Sequence, residues 1–466
     1  MANTYLTKTF SSGGNQRIWT LSFWVKLNRG TGEDNYILTY AQGSGATPRG
    51  SMEFRSDANG NTFRVGFNPT GSSWINCDVD NRKFRDYSAF YHVVVAVDTT
   101  QLTASNRVKI YINGEQQTVS TQPSQNFDTG FNHTHQTSFG RYENADSSYF
   151  DGVLSHIHFI DGTQYTASSF GSTDSTTGEW KINTSPSITM GTNGFTILKD
   201  GNTITDQSSN SNDFTLGGGT LTNTEDNPSN VFNVWNRNFL TRHHNESTSV
   251  PGMLQNGNTT FNSTANAFYG YKAGTLGATS GKWYWEGKII DNGRMYIGIC
   301  YPNVIAGINE PHYDNQTYSA VTINNAGEVY GRYTGSAIDE YASSVSFANN
   351  DIIGFALDMD NKALYIHKNG TYINSGNPAS GASRTGSVIE QLTGTRDSYL
   401  GSGDFVSPFV GDPSSTGTFH CENNFGNGYF GTTAISSEGT NASGIGKFEY
   451  DVPTGYTALS TKGLNL

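Results

Sequence analysis

Along residues 17–28, "RIWTLSFWVKLN", apolar and polar side chains alternate with period two. Trp19, Leu21, Phe23, Val25 and Leu27 point one way, and Thr20, Ser22, Trp24 and Lys26 the other. This pattern predicts a strand with one buried face. "SMEFRSDANGNTFRVGF" places Asn59-Gly60 between two such runs, and "RVKIYINGEQQTVS" repeats the arrangement around Asn113-Gly114, so each predicts a hairpin. "YHVVVAVDTT", residues 91–100, is apolar at successive positions, which predicts a central strand covered on both sides and a second sheet above the first. "FDGVLSHIHFIDG", residues 150–162, supplies a further strand. No long amphipathic helix interrupts these strands, so the expected class is all-β, built as antiparallel sandwiches.

From about residue 173 to 228 the chain turns rich in Ser, Thr, Asn, Asp and Gly, with short apolar pieces such as "GFTILK". This reads as a connector that lends a strand or two to a first domain over residues 1–172. A second set of alternating runs follows over residues 229–466. "GKWYWEGKIIDNGRMYIGICY" is expected to turn at Asn292-Gly293, "VTINNAGEVYGRY" near Gly327, and "DIIGFALDMDNKALYIHKNGTYI" at Asp360-Asn361, with Asn369-Gly370 as another turn signal.

Composition supports this class and removes others. The 466 residues include 54 Gly, with 13% aromatic and 15% charged side chains, which suits neither a charged helical chain nor a disordered one. That length serves two cores, since a single core stops growing at roughly 250 residues. A formal net charge of −12, without a local Lys/Arg cluster, argues against nucleic acid as a partner. No apolar run approaches the ~20 residues that span a bilayer, so no membrane insertion is expected. The polar start "ANTYLTKTFSSGGNQ" predicts synthesis in the cytoplasm without a signal peptide. Cys77, Cys300 and Cys421 are far apart and are read as reduced, packed thiols.

The order "WTLSFWVK", "FYHVVVAVD", "VKIYINGEQ" and "FDGVLSHIHFIDG" resembles the concanavalin-like jelly roll of the laminin-G and pentraxin type. "KWYWEGKI", "YIGIC", "DIIGFALDMDNKALYIHKNG", "PFV" and "NNFG" resemble the SPRY domain, a β-sandwich interaction module. The pairing of the two, with "HFIDGTQYTASSFG" ending the first and "VPTGYTALSTKGLNL" ending the second, resembles the structural proteins of marine bacteriophages. The resemblance implies a virion-surface protein, a tail fibre or receptor-binding protein that adheres to host surface glycan or protein. Other virion proteins and further copies of the chain, in a trimer, are the implied partners. Phage fibres usually begin with a docking segment and a shaft, whereas this chain enters its first sandwich within about five residues. That departure leaves a capsid decoration as the alternative.

A polysaccharide-active enzyme is the third reading, and the residues argue against it. Glucanases of the concanavalin-like fold carry an E-x-D-x-x-E pattern that this chain lacks, and the acidic groupings Glu143 with Asp146, Asp78 with Asp80, and Asp358 with Asp360 fall in loops, at a strand end and at a turn. For calcium, Asp78, Asp80 and Asn81 in "CDVDN" are the candidate ligands, with ordinary turn acids as the alternative. His133 and His135 form an H-x-H pattern similar to one that some phage tail tips use to hold a metal around a trimer axis. His156 and His158 form another, expected to share one face of a strand, and both pairs also read as hydrogen-bonded histidines. Glycan recognition needs an exposed aromatic plate with amide or hydroxyl partners. Trp24, Trp74, Tyr142 and Tyr149 in the first domain, and Tyr313, Tyr318, Tyr330 and Tyr333 in the second, have the polar context for it.

Overall fold

The computed structural model of the chain describes residues 3–28, 34–42, 48–56, 61–143, 145, 147–199, 201, 203–239, 253–263, 270–302, 320–332, 339–393, 399–400, 405–412 and 418–465. The protein is all-β. Its residues divide into two compact units, 1–223 with 227–229, and 224–226 with 230–466.

The first unit is a sandwich of two antiparallel sheets. One has seven strands in the order Thr215–Gly218, Tyr5–Lys8, Gln136–Phe139, Asn35–Ala41, Arg49–Arg55, Asn61–Asn68 and Ile75–Phe84. The other has six, in the order Phe195–Ile197, Gly152–Asp161, Ile18–Leu27, Tyr91–Asp98, Val108–Ile112 and Glu115–Gln116. Alternation places Trp19, Leu21, Phe23, Val93, Val95 and Val97 of the six-stranded sheet in one core with Met52, Phe54, Phe63 and Val65 of the seven-stranded sheet. Each large apolar side chain so buried contributes about 1.5–3 kcal/mol. Asn113 and Gly114, with φ of 49° and 84°, form the expected tight turn between Val108–Ile112 and Glu115–Gln116. Residues 57–60, with Asn59-Gly60, lie outside the described residues, but the strands that flank them pair antiparallel.

The strand Ile18–Leu27 was expected to bury one face, and it buries both. Thr20, Ser22, Trp24 and Lys26 are each at most 5% exposed. The cover on that side is a folded segment rather than a sheet. Tyr165, Phe170, Trp180, Ile188 and Met190 pack over Val94, Ala96 and Tyr111. The stretch 173–228 therefore supplies the strands Trp180–Ile182, Phe195–Ile197 and Thr215–Gly218, and with them part of this cover.

The second unit is again two sheets. Leu254–Gln255, Thr260–Ser263, Phe419–Asn424, Lys282–Asp291, Ile352–Asp358, Ala363–Lys368 and Thr371–Tyr372 lie side by side, with Thr457–Ala458 joined parallel to Lys282–Asp291. The facing sheet runs Tyr271–Ala273, Ser407–Gly411, Tyr296–Cys300, Ala320–Ile323, Glu328–Arg332 and Asp339–Ala342. Trp285, Phe355, Leu357 and Ile366 meet Ile297, Val321 and Val329 in its core. On the outer side of the first sheet, Ile445, Phe448, Val452 and Tyr456 cover Tyr284, Ala356 and Tyr365. The stretches that close each half of the sequence thus do the same job, sealing the outer face of a sheet that is buried on both sides.

The turn expected at Asn292-Gly293 is not a hairpin. Lys282–Asp291 pairs with Ile352–Asp358 and Phe419–Asn424, while Tyr296–Cys300 belongs to the opposite sheet. Neither residue has the positive φ of a tight hairpin turn. Asn292 instead accepts no strand partner and donates through Nδ2 to the carbonyl of Phe347 at 2.7 Å, which fixes a corner between sheets. The hairpins at Gly327 and at residues 359–362 form as expected, and Asn369-Gly370 closes a further one with φ of 49° and 82°. Cys77, Cys300 and Cys421 are buried free thiols.

Candidate ligand-binding groove

The antiparallel register lines up residues that are distant in sequence. Tyr36 lies opposite Glu53, Glu53 opposite Arg64, and Arg64 opposite Asp78, a row across four strands on the outer face of the seven-stranded sheet. Two residues further along, Ser51 lies opposite Gly66, and Gly66 opposite Asn76. Cross-strand neighbours on one face stand about 5 Å apart, so these rows form a continuous polar floor. A groove of about 230 Å³ opens over it. Tyr36, Tyr142 and Trp74 wall the groove, and Asp34 and Arg55 complete its rim.

Gly66 makes this wall possible. A Cβ at that position would stand 2.8 Å from Cζ3 of Trp74, so the missing side chain admits the indole over the strand. The Arg49 guanidinium lies 5.5 Å from the Trp74 ring, a cation–π contact that helps hold it. Opposite, Tyr36 and Tyr142 stack with centroids 4.7 Å apart and planes at 27°. The three rings border one space whose accessible lining is mostly polar, and the floor presents hydrogen-bonding groups.

The floor's electrostatics are nearly balanced. Arg64 donates from Nε to Oδ1 of Asp78 at 2.5 Å and from Nη2 to Oδ2 at 2.9 Å, a bidentate pair. Glu53, 5% exposed, accepts from the Tyr36 hydroxyl and has Arg55 at 3.8 Å. Burial, and then the charge of Asp34, raise its pKa above the usual carboxylate range. Asp34 accepts from the backbone N–H of Ser56 at 3.0 Å.

Trp74 and Tyr142, both expected to expose an aromatic face, come together in this groove. Trp24 does not join them. It is 5% exposed and stacked on His92 at 4.7 Å, and His92 in turn stacks on Trp180 of the covering segment. Tyr149 packs near Tyr5 at 6.1 Å and does not line the groove. Tyr330, on the strand Glu328–Arg332, spends its hydroxyl on Glu328 at 2.6 Å and lies 5.7 Å from Tyr296. Tyr313, Tyr318 and Tyr333 lie outside the described residues. The sequence reading missed Tyr36, Glu53, Arg55, Arg64 and Asn76. Each is an ordinary outward position in an alternating strand, and only the register reveals that they converge.

Of the calcium set, two side chains lie among the described residues. Both carboxylate oxygens of Asp78 are taken by Arg64, and Asn81 is exposed on the edge strand Ile75–Phe84, while the side chain of Asp80 is outside the described residues. Among the described residues no three His, Cys, Asp or Glu side chains cluster as metal ligands. His133 and His135 stack face to face at 4.1 Å, with Tyr40 beyond His135 at 6.0 Å, and burial followed by the charge of His133 lowers the pKa of His135. Face-to-face rings stack rather than converge on one ion. The other pair is split by a β-bulge, since the register shifts between Ser155 and His158 and His156 takes a φ of 48°. His158 is buried against Thr196.

One serine–histidine contact invites a catalytic reading and does not sustain it. His92 Nε2 is 2.9 Å from Ser22 Oγ. Its Nδ1 accepts from the indole N–H of Trp180 at 2.9 Å, so in the neutral ring Nε2 carries the proton and donates to the serine. Burial, and then His158, lower the His92 pKa to about 3. With both residues at most 1% exposed, the dyad neither deprotonates the hydroxyl nor meets a substrate.

Comparison with known proteins agrees with this architecture. Residues 3–164 match the Concanavalin A-like lectin/glucanases superfamily in its Laminin_G_3 form, and residues 282–385 match the SPRY domain. No curated protein matches the chain. Among solved structures, the SPRY domain of human HERC1 is similar at 18% identity, over 34% of this chain and 83% of that one, with a TM-score of 0.24. The heptameric SAP-like pentraxin from Limulus polyphemus is similar at 17% identity, over 35% and 71%, with a TM-score of 0.26. The enzymatically active domain of bacteriophage CBA120 tailspike protein 2 is similar at 14% identity, over 35% and 25%, with a TM-score of 0.28. The chain carries a laminin-G-type, concanavalin-like domain in its first unit and a SPRY domain in its second.

Proposed function

We propose that this chain is an adhesive structural protein of a bacteriophage particle, a tail fibre or receptor-binding protein that holds host surface glycan or protein without turning it over. The observation that carries the adhesive part is the groove walled by Trp74, Tyr36 and Tyr142 over a hydrogen-bonding floor. Carboxylate, amide, hydroxyl and guanidinium groups bordered by aromatic rings suit the hydroxyl-rich surface of a sugar. The lectin-like fold of the first domain supports the same reading. The phage setting is supported by the resemblance of the domain pairing and of the two closing stretches. In this setting the chain sits on the virion surface as a homo-oligomer, a trimer in a fibre, bound to other virion proteins, with the SPRY domain as the protein-binding module.

Immunogold electron microscopy of intact virions, with antibody against this chain, tests the placement. Label at the tail tip is expected. Label over the head makes the protein a capsid decoration, and particles without label overturn the virion assignment. Release of reducing sugar from host exopolysaccharide by the purified chain would overturn the non-enzymatic part.

A further inference from the structure

The adhesive reading leaves the sugar class open, and the groove's own groups narrow it. Ser51 is 3% exposed, lines the groove and hydrogen-bonds to no described residue through its hydroxyl. The amide of Asn76 and the indole N–H of Trp74 likewise have no partner among the described residues, and Arg64 keeps Nη1 after its two bonds to Asp78. These are donors and a hydroxyl facing one space, with Glu53 and Asp34 as acceptors beside them.

Each guanidinium in the groove already faces a carboxylate: Arg64 is bidentate on Asp78, and Arg55 stands 3.8 Å from Glu53. An anionic ligand would share a guanidinium with the acid already facing it and lie within reach of Glu53 and Asp34, where like charge in a partly desolvated site is unfavourable. An ammonium ligand would meet Arg55 and Arg64 in the same space. An uncharged ring of hydroxyls meets no such conflict and satisfies both the donors and the acceptors. The volume of about 230 Å³ lies below the roughly 300–1,000 Å³ of drug-sized ligand sites, so one sugar unit fills it and any further units project from its open side.

We infer that the groove takes a single uncharged pyranose, presented as a terminal or branch unit of a larger glycan. This inference rests on the adhesive reading above. The test is calorimetric titration of the full chain with methyl glycosides of glucose, galactose, mannose and N-acetylglucosamine, and with methyl glucuronide, methyl galacturonide and glucosamine. At least one neutral glycoside is expected to bind, with every charged probe at least about tenfold weaker. Asn76→Ala, which removes a floor donor without opening the sheet, is expected to weaken the neutral sugar about tenfold, and Trp74→Ala to abolish its binding. A charged probe that binds as well as the best neutral one overturns the class while leaving the groove as the site. Neutral binding untouched by both variants overturns the groove, and absence of binding by every probe overturns the adhesive reading with it.

Discussion

The hydroxyl of Tyr284 donates to Oε1 of Glu286 at 2.9 Å, two residues along one strand and therefore on one face of it. On its other side the same hydroxyl lies 2.7 Å from Nε2 of His367. His367 Nδ1 accepts from the backbone N–H of Gly370 at 3.1 Å, so the neutral ring donates from Nε2, and protons point in one direction from Gly370 through His367 and Tyr284 to Glu286. The Glu286 carboxylate also accepts from the backbone N–H groups of Glu449 and Tyr450, each at 2.9 Å. A buried chain thus ties the Asn369-Gly370 hairpin to the C-terminal segment that seals this face of the second sandwich. Completely buried, it binds no ligand; its role is to specify that packing.

Burial raises the pKa of Glu286 to about 7, and burial lowers that of His367 to about 3. Glu286 in the folded state holds its proton more tightly than the unfolded chain does. Its contribution is therefore present below about pH 4.5 and is lost as pH rises through 7. His367 acts oppositely, losing stability as pH falls from about 6.5. The two offset one another between about pH 4.5 and 6.5. In Glu286→Gln only the histidine contribution remains, so the stability difference between the unaltered chain and the variant is expected to shift by about 3 kcal/mol in favour of the variant from pH 4.5 to 8. Urea denaturation of both proteins at pH 4.5, 6 and 8 measures it, and parallel pH curves would refute the raised pKa.

His92 and His158 are buried in the first sandwich, and burial lowers both to pKa values of about 3. Their depressed values make the native state lose stability as pH falls below about 6.5, the pKa of the unfolded histidine. Acidification is expected to unfold the first sandwich before its carboxylates titrate. His158→Gln should move the acid midpoint downward, as read by tryptophan fluorescence. A midpoint unmoved by that variant would assign the acid limb to other groups.

Gly354 lies opposite both Glu286 and His367, and a Cβ there would stand 1.8 Å from His367 Nε2. Gly354→Ala is expected to push the imidazole off Tyr284 and to cost about 1–3 kcal/mol, the usual range for overpacking. Chemical denaturation checks the loss. A neutral outcome would mean the ring has room elsewhere.

Gly66→Ala is the corresponding change in the groove, where the new Cβ meets the Trp74 ring at 2.8 Å. It is expected to displace the indole and weaken sugar binding at least tenfold while shifting the melting temperature far less than a core truncation would. Titration calorimetry beside a thermal melt separates the two effects. Full binding in a well-folded variant would remove Trp74 from the site.

Because Arg64 occupies both oxygens of Asp78, removing calcium with a chelator is expected to leave the melting temperature unchanged. The pair is mostly buried and bidentate, so Asp78→Asn, which leaves the Arg64 guanidinium without its counter-charge, should cost about 1–3 kcal/mol. A chelator-induced fall in melting temperature would place a calcium site among residues other than these.

The sequence by itself determined the class, the two sandwiches and most of the hairpins, because period-two alternation and Asn-Gly turns are local signals that each strand carries alone. Trp19, Leu21 and Phe23 face the core as their spacing predicts, and Asn113-Gly114 turns as its residue types require. Only the tertiary structure decided what covers the outer faces, and with that the fate of Trp24, whose polar neighbours suggested exposure but whose ring stacks on His92, itself stacked on Trp180. It also decided that Asn292-Gly293 crosses between sheets, since a turn dipeptide does not specify which strand its neighbour will pair with. The groove belongs to this second kind of knowledge. Tyr36, Glu53, Arg64 and Asn76 sit on four different strands, and the hydrogen-bond register that sets them side by side is a property of the assembled sheet, not of any one segment.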